Sequence, residues 1–177
     1  MESQKQQILK RLREGESALN SALAGIDPES AVRKPAPGRW SIVDIVEHLA
    51  ASEAILLDRL RQAAPSAISH ADPAREAHLE ALALNRERRI DAPEPALPTG
   101  ACATLAEALG RFRAVRTRTI QFVESFSDDL RSSLVQHPLI PRPLNGYEML
   151  LLMALHPVRH AVQIGESRPA SSAASDT

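Results

Sequence analysis

Residues 147–165 place the tightest constraint on what this chain can fold into. The segment is apolar around most of a helical circumference and holds the longest apolar run in the sequence, Met149 to Leu155. A helix without a wet face must be enclosed by other elements, so the remainder of the chain is expected to wrap around it. The run is far below the ~20 residues that span a bilayer, which assigns it to a protein core.

The partners for that helix are legible in the periodicity. Ile8, Leu12, Leu19, Leu23 and Ile26 share one stripe of a first amphipathic helix ending near Asp27-Pro28. After the break at Lys34-Pro35-Ala36-Pro37-Gly38, Ser41 is an N-cap and Asp44 completes a capping box, with Trp40 and Ile45 at the staple positions. A second helix therefore runs from Ser41 to about Gln62. Ile42, Ile45, Val46, Leu49, Leu56 and Leu60 form its buried stripe. A shorter Glu- and Arg-rich helix is expected over about Pro73 to Ile90, followed by an extended stretch punctuated by Pro93, Pro95 and Pro98. Leu105, Leu109, Phe112, Val115, Ile120, Val123 and Phe126 then define a third long helix, ending near Ser127-Asp128. No period-two run enriched in β-branched residues and no internal repeat accompanies these segments. The fold class expected is all-α, a four-helix bundle with irregular crossover loops over residues 1–165, with the Ser- and Ala-rich residues 166–177 as a flexible tail.

Composition narrows the function classes. A chain of 177 residues with 44% hydrophobic and 24% charged side chains can form one ordinary core, and a formal net charge of −1 offers no field for polyanions. Nucleic acid and anionic membranes are not expected partners. Cys102 is the only cysteine, so neither an internal disulfide nor a Cys-rich zinc site can form. With no apolar signal region in Met1-Glu2-Ser3-Gln4-Lys5-Gln6-Gln7, a cytoplasmic location is expected.

The candidate chemistry lies in the most apolar helix. His156 and His160 are four residues apart, so both imidazoles face the same side. Neutral imidazoles at that spacing suit one zinc or nickel ion, given a third ligand from a neighbouring helix. His48 is the best candidate for it, because it borders the buried stripe on the side of Ile45, Leu49 and Ser52. The pair does not match a zinc protease, which places a glutamate directly after the first histidine; here that residue is Pro157. Pro157 also removes a backbone donor and crowds the Met153 carbonyl, so a kink is expected beside His156. Gln163 follows His160 by three residues and is placed to orient a ligand or water. Arg159 is expected in a structural ion pair, and so is Glu47, which faces away from His48. His137 and Cys102 are the remaining candidates for a fourth ligand, His137 as a solvated loop residue and Cys102 as buried filler. His70 and His78 are expected to be exposed, and Arg86-Glu87-Arg88-Arg89 to form a solvated helix face.

The ordered blocks Pro35-x-Pro37-Gly38-x-Trp40-Ser41, Glu47-His48-Leu49 with Glu53, Asn145-Gly146-Tyr147-Glu148, and His156-x-x-Arg159-His160-x-x-Gln163-Ile164 resemble the DinB-like superfamily. That superfamily includes metal-dependent bacillithiol and mycothiol S-transferases. The resemblance covers roughly residues 5 to 165 and implies a four-helix bundle with a divalent cation, nickel or zinc, on His48, His156 and His160. It further implies a metal-dependent thiol S-transferase or hydrolase acting on a small-molecule substrate, with a low-molecular-weight thiol as cosubstrate. A homodimer is the expected assembly. The competing expectation is a non-catalytic bundle, metal-binding or dimerising, whose site would be closed by a fourth protein ligand.

Overall fold

The computed structural model describes residues 3–66, 71–87, 90–127 and 129–167. Its long elements are α1 (Gln4–Leu23), α3 (Ile42–Arg61), α5 (Leu105–Ser125) and α6 (Gly146–Ser167), joined by the shorter α2 (Pro28–Val32) and α4 (Pro73–Leu84). The four-helix expectation is borne out. α6 is the central element, with α1 packed along it, α3 and α4 also against it, and α5 against α3.

Local sequence sets the boundaries. Ser41 Oγ accepts from the Asp44 N–H at 3.1 Å and Asp44 returns the bond from the Ser41 N–H at 2.9 Å, fixing the start of α3. Thr104 and Glu107 do the same for α5. At α6, Asn145 Oδ1 accepts from the Glu148 N–H at 2.9 Å while Glu148 Oε2 accepts from the Asn145 N–H at 2.8 Å. Glu148 also pairs with Arg75 at 2.8 Å, fastening α4 to the start of α6.

Four details differ from the sequence expectation. Asp27-Pro28 opens a helix instead of closing one: Asp27 caps α2 by accepting from the Ser30 N–H at 2.9 Å, and Pro28 occupies the first turn. α4 stops at Leu84, short of Ile90, because Asn85 leaves the helical path. A small antiparallel sheet joins β1 (Ala64–Pro65), β2 (Ser133–Val135) and β3 (Leu144–Asn145), with Ala64 opposite Leu134 and Val135 opposite Leu144. These strands are too short to carry an alternating pattern. They tie the end of α3 to the start of α6. At the C-terminal end, α6 extends through Ser167, and residues 168–177 lie outside the described set.

The core has two apolar lobes, one around Ile8, Leu57 and Leu150, the other around Leu19, Ile45 and Phe112. Between them sits a buried polar cluster. Arg116, 1% exposed, pairs with Glu53 at 2.7 Å and donates to the Leu12 carbonyl at 2.8 Å and the Met153 carbonyl at 3.2 Å. Thr119 Oγ1 donates to the other Glu53 oxygen at 2.9 Å. Met153 is the residue whose carbonyl loses its helical partner to Pro157, so Arg116 supplies the missing donor and α6 continues through the proline. On the facing helix, a Cβ at Gly15 would stand 2.2 Å from the Ala154 carbonyl oxygen and 3.1 Å from Pro157 Cγ. Only a glycine lets α1 come this close.

Two outcomes follow for stability. Glu53→Ala strands the Arg116 charge in the core and should cost about 3–5 kcal/mol by urea unfolding. Gly15→Ala should also destabilise, by about 1–3 kcal/mol, since overpacking against backbone outweighs the helix-propensity gain; an unchanged or higher denaturation midpoint would contradict the close approach.

Candidate metal centre

His48 on α3 and His156 and His160 on α6 converge. His48 Nε2 lies 3.2 Å from His156 Nε2, and His160 Nε2 lies 3.0 Å from the same atom. Trp40 packs its ring on His48 with centroids 4.8 Å apart. The remaining nitrogens fix the tautomers. His48 Nδ1 is 2.7 Å from the Ala96 carbonyl oxygen, which can only accept, so this nitrogen carries the proton. His160 Nδ1 likewise donates to Gln163 Oε1 at 2.8 Å.

The consequence is an excess of lone pairs. His48 and His160 both present an unprotonated Nε2 to His156, and His156 Nε2, with at most one proton, can donate fully to only one of them. Burial holds the His156 imidazole well below its ordinary basicity, with His160 and His48 adding to the effect, and burial takes His160 down to about 3. His48 is lowered by burial too, against the opposing pull of Ala96. Protonation is therefore a poor solution, whereas a cation bound by the three Nε2 atoms satisfies every lone pair. Tetrahedral bonds of ~2.0–2.1 Å place two nitrogens roughly 3.3 Å apart, close to the two spacings His156 Nε2 makes, with all three ligand nitrogens within 4.8 Å of one another. The donor set fits zinc or nickel.

The triad opens into a cavity of about 620 Å³. Its walls come from α3, the end of α4, α6, the crossover that includes Pro93, Ala96 and Leu97, and the 137–140 loop. His137 belongs to this wall and is half-buried, not solvated as the loop suggests; burial and then Arg59 bring its pKa to about 4. Its Nδ1 accepts from the Leu139 N–H at 3.1 Å, so its proton is on Nε2. Arg159 also lines the cavity, and its guanidinium donates to the Ala83 carbonyl at 3.5 Å and to the Asn85 carbonyl. Arg86 is past the end of α4 rather than on a helix face: it pairs with Glu166 and donates to the Arg159 carbonyl at 3.4 Å. Arg88, Arg89 and His70 lie outside the described residues.

Glu47 differs from the expected ion pair. Its Oε1 accepts from the Thr99 N–H, the Thr99 hydroxyl and the Ala101 N–H. Burial alone would push this carboxyl up, but those donors, with Cys102, hold it below its ordinary value. Cys102 is buried in the second apolar lobe, with its thiol pushed up by burial, and does not line the cavity. His78 is exposed, as expected. Arg116 and the Ala96 carbonyl have no distinctive sequence signal: one is an arginine among many, the other a main-chain atom.

The family profile described as the DinB superfamily matches residues 11–164. This chain belongs to the DinB superfamily. Among solved structures, the DinB chain is similar to YfiT from Bacillus subtilis, described as a probable metal-dependent hydrolase with an unusual four-helix bundle topology. The two share 16% identity over 92% of this chain and 85% of that one, with a TM-score of 0.57, a likeness of fold. Comparison with curated proteins gave no match. No helix among the described residues is long and apolar enough to cross a membrane.

The buried imidazoles give the metal-free DinB protein a defined acid response. Each is less basic folded than at its ordinary value of 6.5, so the stability it permits is complete above about pH 6.5 and is lost as pH falls toward the folded values. Between pH 7 and 5, His160 alone should cost about 2 kcal/mol. Urea midpoints at both pH values measure this, and the decline should be shallower in His160→Leu.

Proposed function

We propose that this DinB protein is a metal-dependent enzyme that holds one divalent cation, nickel or zinc, on His48, His156 and His160 and uses it to activate a nucleophile brought from outside the protein. The observation that carries this reading is the convergence of three Nε2 lone pairs at the wall of a large cavity, with no fourth His, Cys, Asp or Glu in the cluster among the described residues. A structural site would close its coordination, whereas a catalytic one keeps a position for substrate. A cation there would lower the pKa of a bound thiol or water and supply a nucleophile near neutral pH.

The protein's own residues prepare that position. Ala96 and Gln163 hold the protons of His48 and His160 on Nδ1, leaving both Nε2 atoms free to coordinate. His137 keeps its proton on Nε2 in the cavity wall, a neutral donor suited to a substrate oxygen. Cys102 is buried elsewhere, so sulfur chemistry would use an external thiol. A volume of about 620 Å³ is of the size that holds a small-molecule ligand, and S-transfer with an external thiol is the first reading. Hydrolysis is the second reading, supported by the description of YfiT.

Elemental analysis of wild type and of His48→Ala, His156→Ala and His160→Ala tests the centre. Each substitution should weaken metal binding by more than the ~10–100-fold typical of changes around a ligand; equal metal in all four proteins would overturn the assignment. The metal-loaded wild type should accelerate conjugation of at least one small thiol from a panel to a generic electrophile, and His156→Ala should not. Metal-dependent cleavage of an ester and amide panel, with every thiol inactive, selects hydrolysis; two silent panels with metal bound select the non-catalytic bundle.

A further inference from the structure

The crossover between α4 and α5 reaches the triad through two consecutive residues of α3. Residues 93–101 form an extended strap with three prolines and a single 3-10 turn, Glu94–Ala96. Adjacent positions on a helix point about 100° apart, so Glu47 and His48 cannot engage the same part of it. His48 takes the turn, with Nδ1 on the Ala96 carbonyl at 2.7 Å. Glu47 takes the end, where Oε1 receives the Thr99 N–H at 2.9 Å, the Thr99 hydroxyl at 2.7 Å and the Ala101 N–H at 3.4 Å. The strap is thus gripped a few residues beyond the carbonyl that sets the His48 tautomer.

The grip is unusual in how its carboxylate is used. Glu47 is 7% exposed, three donors crowd one oxygen, and Oε2 is buried without a hydrogen-bond partner. Burying an anion with one oxygen unpartnered is costly, and an apolar residue would fill the same space without that cost. What an apolar residue would lose is the fixed path of residues 99–101, and with it the placement of Ala96, itself 2% exposed and unable to reach His48 by any side chain.

We infer that Glu47 is a positioning residue for the triad: by anchoring Thr99 and Ala101 it holds the Ala96 carbonyl on His48 Nδ1, keeps Nε2 unprotonated, and couples order in the strap to metal uptake. The inference rests on the metal-centre reading above. Coupling of this kind is reciprocal, so an ordered strap favours the cation and the cation orders the strap. Because Pro93, Ala96 and Leu97 also line the cavity, the same grip fixes part of the substrate wall.

The test uses zinc as the probe and three variants of the full chain, with thermal melting to establish that each is folded. Long-range ¹⁵N–¹H spectra of the metal-free wild type should show His48 as the Nδ1–H tautomer, and Glu47→Ala should show a mixture. Chelator competition should find zinc binding roughly tenfold or more weaker in Glu47→Ala, and within about threefold of wild type in Glu47→Gln, whose amide oxygen can still accept. Thr99→Val, which removes one donor with little change of shape, should fall between them and decides the matter if Glu47→Ala does not fold. Zinc should slow hydrogen exchange at the Thr99 and Ala101 amides in wild type and not in Glu47→Ala. Wild-type zinc affinity with an unchanged His48 tautomer in folded Glu47→Ala, or in Thr99→Val where that variant decides, would overturn the inference. If the wild type takes up no zinc, the metal reading fails, and the tautomer spectra alone decide whether Glu47 positions His48.

Discussion

One guanidinium organises the interior of this bundle. Arg116 projects from α5 into the space between two apolar lobes and bonds to Glu53 on α3, the Leu12 carbonyl on α1 and the Met153 carbonyl on α6. It also stands over the Phe112 ring, 5.2 Å from its centroid. Desolvating this cation is tolerable only because each contact is in place together, so all four long helices share a single register requirement. Burial pushes the Glu53 carboxyl up while Arg116 and then Thr119 pull it back, and the pair holds its position by geometry more than by net energy. Pro157 is part of the same arrangement, since the carbonyl it orphans is one that Arg116 binds. A proline that would break an isolated helix is accommodated beside His156 for that reason.

The interior therefore contains two polar layers of opposite character. Around Arg116, donors and acceptors are nearly matched and the layer is sealed in the core; Arg116 Nε alone lacks a partner. Around His156, acceptors outnumber donors and the layer faces a cavity. The first is complete as folded. The second leaves a lone pair that no protein donor satisfies, and this asymmetry separates the sealed cluster from the one beside the cavity.

The sequence made the frame legible wherever a local rule acts alone. Ser41 with Asp44 marks the start of α3 to the residue, and the apolar stripes locate every long helix. His48, His156 and His160 stood out because polar side chains interrupt apolar faces at a helical spacing, and the structure brings all three together. What escaped depends on contacts distant in sequence. Arg116 resembles its neighbours Arg111, Arg113 and Arg118 until the fold buries it. The strands of two and three residues exist because segments between helices, distant in sequence, meet there, and Asp27-Pro28 serves equally as a helix stop and a helix start. Glu47 reads as an ion-pair residue in the sequence because nothing local reveals that Thr99, 52 residues away, is its partner.

The support beneath the three imidazoles is unevenly distributed. Gln163 lies on the same helix as the histidine it orients, whereas His48 relies on a main-chain oxygen from a separate crossover. A main-chain acceptor places no demand on residue type beyond a side chain small enough for the buried position of Ala96. Apart from Thr99, whose hydroxyl donates to Glu47, the crossover is consequently free to vary in sequence, and with it part of the cavity wall, while the imidazole geometry persists. A fold arranged this way can change the lining of its cavity without disturbing the imidazoles beside it.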